Sequence, residues 1–322
     1  MQHTPMSDSA CRWHLSVVIP VYRSQATLPT LIQRLQPTLV AFACEYELVF
    51  VNDGSPDGSW KVIEQLSAQH CWVRGICLMR NYGQHNALLA GIRAARFDTI
   101  VTMDDDLQHP PEELPKLLAR MEEGYDVVYG APEQEQHGLL RDLASLITKI
   151  ALQSAMGAET ARVVSAFRVF RTPLREAFAS YHGPFVNIDV LLTWGTTKFG
   201  SVRVRHDQRT IGKSTYTWTR LVHHALNMMT GFSVLPLQLA SVIGLVFTLF
   251  GICVLLYVCG RYFLSGTTVA GFPFLASIIA IFSGAQLFAL GIIGEYLARM
   301  HFRSMDKPPY AISTMLEAGR KD

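Results

Sequence analysis

The chain has 322 residues, of which 49% are hydrophobic and only 17% charged, and its formal net charge is +2. That charge, without any long run of Lys or Arg, excludes nucleic acid as a partner, while the apolar excess is high for a wholly soluble protein. Six cysteines (Cys11, Cys44, Cys71, Cys77, Cys253, Cys259) show neither zinc spacing nor a secreted disulfide framework and read as reduced packing residues.

Met1–His14 is a tail without the apolar core of a signal peptide, so the domain after it is expected to stay in the cytoplasm. From Leu15 the pattern alternates strands and helices: Leu15–Val21, Ala26–Leu39, Glu47–Asn52, Ser59–Gln69, Val73–Met79, His85–Ala95, Thr99–Met103, Glu112–Glu123 behind Pro110-Pro111, and Asp126–Tyr129. This βαβα punctuation predicts an α/β fold with a mainly parallel sheet covered by helices. Leu139–Met156 then reads as a helix, Phe167–Phe170 and Ser201–Arg205 as strands, and Thr217–Phe232 as an amphipathic helix at the membrane interface or against the domain.

Leu237–Gly260 and Phe272–Ile293 carry no charge, and each is about the 20 residues that a helix needs to cross a bilayer. Two such runs in tandem, joined by the short turn Arg261–Gly271, predict a two-helix transmembrane hairpin. Arg220 before the first span and Arg299, Arg303 and Lys307 after the second, against Arg261 alone between them, put both chain ends in the cytoplasm. The expected organisation is a tail (1–14), a catalytic domain (15–216), an interface helix (217–232), two spans (233–300) and a cytoplasmic tail (301–322).

Ligands of parallel sheets bind beyond the carboxyl ends of the strands, and the polar clusters stand there: Val21-Tyr22-Arg23-Ser24, Asn52-Asp53-Gly54-Ser55, Arg80-Asn81-Tyr82-Gly83 and Asp104-Asp105-Asp106. Three adjacent carboxylates repel one another, a conflict that a bound divalent cation resolves; a solvated acidic turn is the bland alternative. Strand alternation would point Asp104 and Asp106 to one side and Asp105 to the other. Asp53 sits in an Asp/Gly turn suited to accept a hydrogen bond from a pyrimidine ring. Gly212-Lys213-Ser214 lacks the earlier glycine of a P-loop, since Asp207 stands in its place, and no Gly-x-Gly-x-x-Gly follows the first strand.

Taken in order, Ser16–Tyr22, Asn52–Ser55, Arg80–His85 and the run Asp104-Asp105-Asp106-Leu107-Gln108-His109-Pro110-Pro111-Glu112-Glu113 resemble inverting family 2 glycosyltransferases of the GT-A fold, and among them the polyprenyl-phosphate glycosyltransferases. The resemblance implies a nucleotide-sugar donor, a polyprenyl phosphate acceptor, Mg²⁺ or Mn²⁺ as cofactor, homo-oligomers, and a bacterial inner-membrane location. It places Pro20, Tyr22 and Asp53 at the base and ribose, and Asp104, Asp106 and Gln108 around the metal. It gives Asp105 no role of its own; Asp105 and Arg80 count among the nucleotide-side candidates as members of the strand-end clusters. His206–Tyr216 is similar to the loop ahead of the membrane helices, so Arg209, Lys213, Ser214 and Tyr216 are expected at phosphate, with Arg141 and Arg168 as further phosphate or acceptor contacts.

The chain departs from that family in three places. Arg23-Ser24 replaces the usual Asn-Glu after the tyrosine, Ala131-Pro132 stands where relatives tend to carry Arg, and Arg162–Ser165 lacks the acidic residue proposed as base. Asp189 is the candidate substitute base, beside Asp106 and Arg209 as catalytic candidates. A phosphate monoester acceptor, with its second pKa at about 6, is already a nucleophile and needs little help from a base. A processive polysaccharide synthase would need a Gln-x-x-Arg-Trp motif, which is absent, and a catalytically silent sugar-nucleotide sensor is the alternative from a different class.

Overall fold

The structure is a computed structural model, and it describes residues 12–132, 164–183, 186–207, 235–265, 271–305 and 307–317. The expected helix 139–156, the interface helix 217–232 and the candidates Arg141, Arg209, Lys213, Ser214 and Tyr216 lie outside the described residues.

The chain opens with β1 (Trp13–Val21), α1 (Leu28–Phe42), β2 (Ala43–Asn52), α2 (Ser59–Gln69), β3 (Val73–Leu78), α3 (Gln84–Ala94) and β4 (Thr99–Thr102). A 3₁₀ turn at Pro111–Glu113 leads into α4 (Leu114–Glu122), followed by β5 (Val127–Pro132) and β6 (Arg168–Arg171). After a second 3₁₀ stretch come the short α5 (Ile188–Leu192), β7 (Phe199–Val204), two long helices α6 (Leu235–Ser265) and α7 (Phe272–Ser304), and β8 (Ile312–Leu316). The eight strands form one mixed sheet in the order β7-β5-β6-β4-β1-β2-β3-β8. The block β4-β1-β2-β3 is parallel throughout, whereas β6 runs antiparallel to β4 and β5, and β8 antiparallel to β3.

Both faces of this sheet are covered, which is why β1 from Leu15 to Val21 is apolar except for Ser16 and shows no alternation. Leu15, Val17, Ile19 and Val21 of β1 join a core with Leu31 and Leu35 of α1 and Leu117 of α4. Val18, with Val49 and Val51 of β2, belongs to the opposite layer, packed with Leu88 and Ile92 of α3 and Leu191 of α5. Gly91 fits against β1 because it has no side chain: a Cβ there would lie 2.3 Å from Val18 Cγ1.

The long helices are apolar and outward-facing. Pro236–Tyr257 and Ile281–His301 have mean hydropathies of 2.7 and 1.4, with at most 6% of either window buried. Phe247 meets Phe282 edge-on at 5.7 Å, so the two helices contact each other while Leu245, Leu256, Leu287 and Leu290 face outward. An apolar surface of that extent requires a covering, and a bilayer supplies it. Hydroxyls within α6 are turned back onto its own backbone, Ser241 Oγ to the Leu237 carbonyl at 3.1 Å and Thr248 Oγ1 to the Gly244 carbonyl at 2.8 Å, which removes their need for water.

The expected boundaries need two corrections. Residues 261–265 continue α6 instead of opening the interhelix turn, with Phe263 and Leu264 resuming the apolar sequence after Arg261. Residues 301–322 are not simply a tail: α7 continues to Ser304, and Ile312–Leu316 returns to the sheet as its last strand. The sheet is therefore completed by chain that follows the two long helices.

Candidate active site

Because β1 to β4 run in parallel, their carboxyl ends open on the same edge of the sheet. There Pro20, Val21, Tyr22, Asp53, Asn81, Gly83, Gln84, Asp104, Asp105 and Asp106 line one cleft of about 260 Å³. Pro20, Tyr22, Asp53 and Asp105 of the expected nucleotide side are thus brought together with Asp104, expected at nucleotide and metal alike, and with Asp106.

Asp53 organises the cleft as well as lining it. Its Oδ1 accepts the Tyr82 backbone N–H at 2.7 Å and its Oδ2 that of Gly83 at 2.8 Å, so the side chain at the end of β2 shapes the loop after β3. Burial raises the pKa of this carboxyl, and the two backbone donors oppose that rise. Each oxygen keeps further lone-pair capacity for a ligand. The neighbouring residue must be glycine: Gly54 has φ of +60°, and a Cβ there would fall 2.4 Å from the Arg80 carbonyl carbon. The Asn-Asp-Gly turn and the Arg80–Gly83 loop are in this way pressed backbone to backbone. Arg80 itself is exposed, with its guanidinium 4.7 Å from the Tyr82 ring centroid, and it does not line the cleft.

The three acids have separate surroundings. Strand β4 ends at Thr102, so they stand in a turn that closes on Leu107 at φ 62°, and strand alternation does not govern them. Asp104 Oδ1 accepts from Gln84 Nε2 at 2.6 Å, and Asp106 Oδ1 accepts the Gln108 backbone N–H at 3.1 Å. Asp105 turns instead to the loop after β1, where its Oδ2 accepts the Tyr22 N–H and the Ser24 hydroxyl. Burial pushes the Asp105 pKa up to about 6, against the hydrogen bonds from Ser24 and Tyr22 and with added repulsion from Asp106. Ser24, which stands where the resembled family usually carries glutamate, is thus paired with Asp105. Arg23, between Tyr22 and Ser24 in the chain, adopts φ 60° and its guanidinium lies 5.4 Å from the centroid of Tyr22.

Among the described residues no group of three or more His, Cys, Asp or Glu converges as a ready-made metal cage. The donor set nonetheless fits a hard divalent cation. Asp104 and Asp106 supply oxygens, and Mg²⁺ or Mn²⁺ characteristically completes its shell with water and phosphate oxygens. Gln108 does not line the cleft; its backbone ties the acid turn down, with its carbonyl accepting the Asp207 N–H at 2.9 Å.

Arg168 and Asp189 are placed differently from the sequence expectation. Both are buried, neither lines the cleft, and they form an ion pair with each other. Arg168 Nε also donates to Thr102 Oγ1 at 2.9 Å, and the Tyr129 hydroxyl donates to Asp189 Oδ1 at 3.0 Å. A guanidinium and a carboxylate that neutralise each other present neither a phosphate contact nor a base to the cleft, and the pair serves to join β4, β5, β6 and α5. What sequence reasoning missed is the set of residues that hold the acids: Gln84, Ser24, and the pair His109 and His206, whose rings meet at 5.0 Å and link the acid turn to the exit of β7. Burial, reinforced by His206, lowers the His109 pKa to about 4, so its ring packs as a neutral group. Both histidines stood in stretches already singled out, but their meeting depends on β7 lying beside β5, which no local pattern encodes.

A mixed, mainly parallel sheet whose strand ends gather an acidic turn and an Asp-Gly loop is the architecture of a GT-A nucleotide-sugar enzyme. Residues 16–176 match the family described as glycosyl transferase family 2. The chain is 35% identical over 305 residues to undecaprenyl-phosphate 4-deoxy-4-formamido-L-arabinose transferase of Shewanella sediminis, covering 94% of this chain and 92% of that protein. Its fold is similar to that of glucosyl-3-phosphoglycerate synthase of Mycobacterium tuberculosis, solved with Mn²⁺, UDP-glucose and phosphoglyceric acid, at TM-score 0.51 and 19% identity over 68% of this chain and 78% of that one. Mannosyl-3-phosphoglycerate synthase of Rubrobacter xylanophilus is alike at TM-score 0.51 and 18% identity, over 66% and 72% of the two chains. The chain belongs to glycosyltransferase family 2.

Proposed function

We propose that the protein transfers a sugar, with inversion, from a UDP-linked donor to the phosphate of a polyprenyl lipid such as undecaprenyl phosphate. The observation that carries this reading is the pairing of a family 2 cleft with two apolar helices on a chain that matches, over nearly its whole length, a transferase acting on undecaprenyl phosphate. Pro20, Tyr22 and Asp53 receive the nucleoside in this reading, and Asp104 and Asp106 hold Mg²⁺ or Mn²⁺ against the diphosphate. The metal's contribution is to neutralise charge on the leaving group. The chain's own part is positioning: Asp53 keeps the Tyr82–Gly83 backbone in place, and Gln84 and Ser24 fix the carboxylates they contact. The acceptor phosphate monoester, largely dianionic at neutral pH, attacks the anomeric carbon without a strong base, which agrees with the internal pairing of Asp189. The catalytic domain and both chain ends face the cytoplasm of a bacterium in this scheme, and the protein self-associates.

The test is transfer of radiolabel from a panel of UDP-, GDP- and dTDP-sugars to undecaprenyl phosphate in detergent. Label that enters the lipid phase from a UDP-sugar supports the reading and identifies the donor. Nucleotide binding without any labelled lipid across a broad panel would favour a sugar-nucleotide sensor instead.

A further inference from the structure

The last strand of the catalytic sheet follows the second long helix, and its attachments lie at the base of the donor cleft. β8 pairs with β3 from Gly75 opposite Leu316 to Leu78 opposite Ile312. One residue further on, the Met79 N–H donates to the Ala311 carbonyl at 2.9 Å, and the next four residues are the Arg80–Gly83 loop that Asp53 holds. The segment is also fixed by its side chains. Leu316 packs into the core beside Gly75, Tyr310 packs against the opposite layer with the Arg93 guanidinium 5.8 Å from its centroid, and Glu317 pairs with Arg96 and, at 3.6 Å, with buried Arg74.

The two connections between this domain and the helical hairpin differ greatly in length. Thirty residues (205 to 234) separate β7 from α6, a length whose fully extended reach is about 100 Å. Only seven (305 to 311) separate α7 from β8, a reach of under about 30 Å. A domain of about 200 residues is about 40 Å across, so the short link holds the β3–β8 edge on the half of the domain nearest the end of α7.

We propose that Tyr310–Glu317 is a positioning element: a strand that docks the catalytic domain at a set height above the membrane, with the adjoining donor cleft within reach of an acceptor phosphate at the bilayer surface. The inference rests on the reading that the acceptor is a membrane lipid. It does not involve the residues that bind donor or metal.

The experiment lengthens the short link by eight Gly/Ser residues after Lys307 in the full chain, reconstituted in nanodiscs of phosphatidylethanolamine and phosphatidylglycerol. Height is read by energy transfer from a fluorescent amino acid at exposed position 64 to a headgroup dye. Sugar transfer is measured to undecaprenyl phosphate in the disc and to a water-soluble short-chain prenyl phosphate. The expected result is weaker energy transfer and at least tenfold slower labelling of the bilayer acceptor, with UDP binding and turnover of the soluble acceptor within twofold of the native protein. A change that merely disturbed folding would depress both acceptors together and would overturn the proposal, as would unchanged energy transfer. Should the native protein label no prenyl phosphate at all, the acceptor reading fails, and energy transfer alone decides whether the strand sets the height.

Discussion

At the scale of single residues, the cleft is held by contacts that leave little freedom for substitution. Gly54 combines a left-handed backbone with a 2.4 Å approach to the Arg80 backbone, so Gly54→Ala is expected to destabilise the protein by about 3 kcal/mol and to raise the donor KM, measured by denaturant titration and by initial rates. Asp189 allows a sharper test. Removing one partner of a buried ion pair costs about 3–5 kcal/mol, so Asp189→Ala should lower stability by that order, and the surviving folded enzyme should keep a near-native kcat. A kcat loss without any stability loss would restore Asp189 as the base. The strand-end polar clusters were legible in the sequence because each directly follows a segment that reads as a strand. The burial of Arg168 and Asp189 was not, since the Phe-Arg and Ile-Asp pairs that carry them look locally like strand-end and helix-start polar residues. Only the antiparallel insertion of β6 between β4 and β5 puts them opposite each other.

At the scale of elements, periodicity located the first four strands and their helices to within a few residues, and α2 to the residue, because each is long enough to show its apolar repeat. β8 escaped: five residues, Ile-Ser-Thr-Met-Leu, between a membrane helix and a charged end resemble a tail, and nothing local says that a distant edge awaits them. Its removal has a definite consequence. Stopping the chain after Lys307 strips β3 of its outer partner, leaving it paired with β2 alone as an edge strand with Ile76 and Leu78, so the truncated protein is expected to aggregate and to bind UDP less tightly, by light scattering and calorimetry. A monodisperse truncated protein with native UDP affinity would show that β8 adds nothing to the cleft.

At the scale of the molecule, the pairing of β8 with the sheet puts the end of α7 on the same side as the catalytic domain, where a two-helix hairpin requires it to be. The cleft, the apolar hairpin and the short link between them describe an enzyme that joins a soluble activated sugar to a lipid. Chelation and mutation address that claim together. In the native protein, EDTA should abolish transfer of labelled sugar to undecaprenyl phosphate and Mn²⁺ or Mg²⁺ should restore it, because two adjacent carboxylates and a diphosphate repel one another without a cation. The most direct measurement is the initial rate of that transfer for the native protein and for Asp106→Ala, each with and without Mn²⁺. The account predicts a metal-dependent native rate that falls at least a hundredfold in the variant while the protein stays folded; a variant that transfers sugar at the native rate, with or without metal, would contradict it.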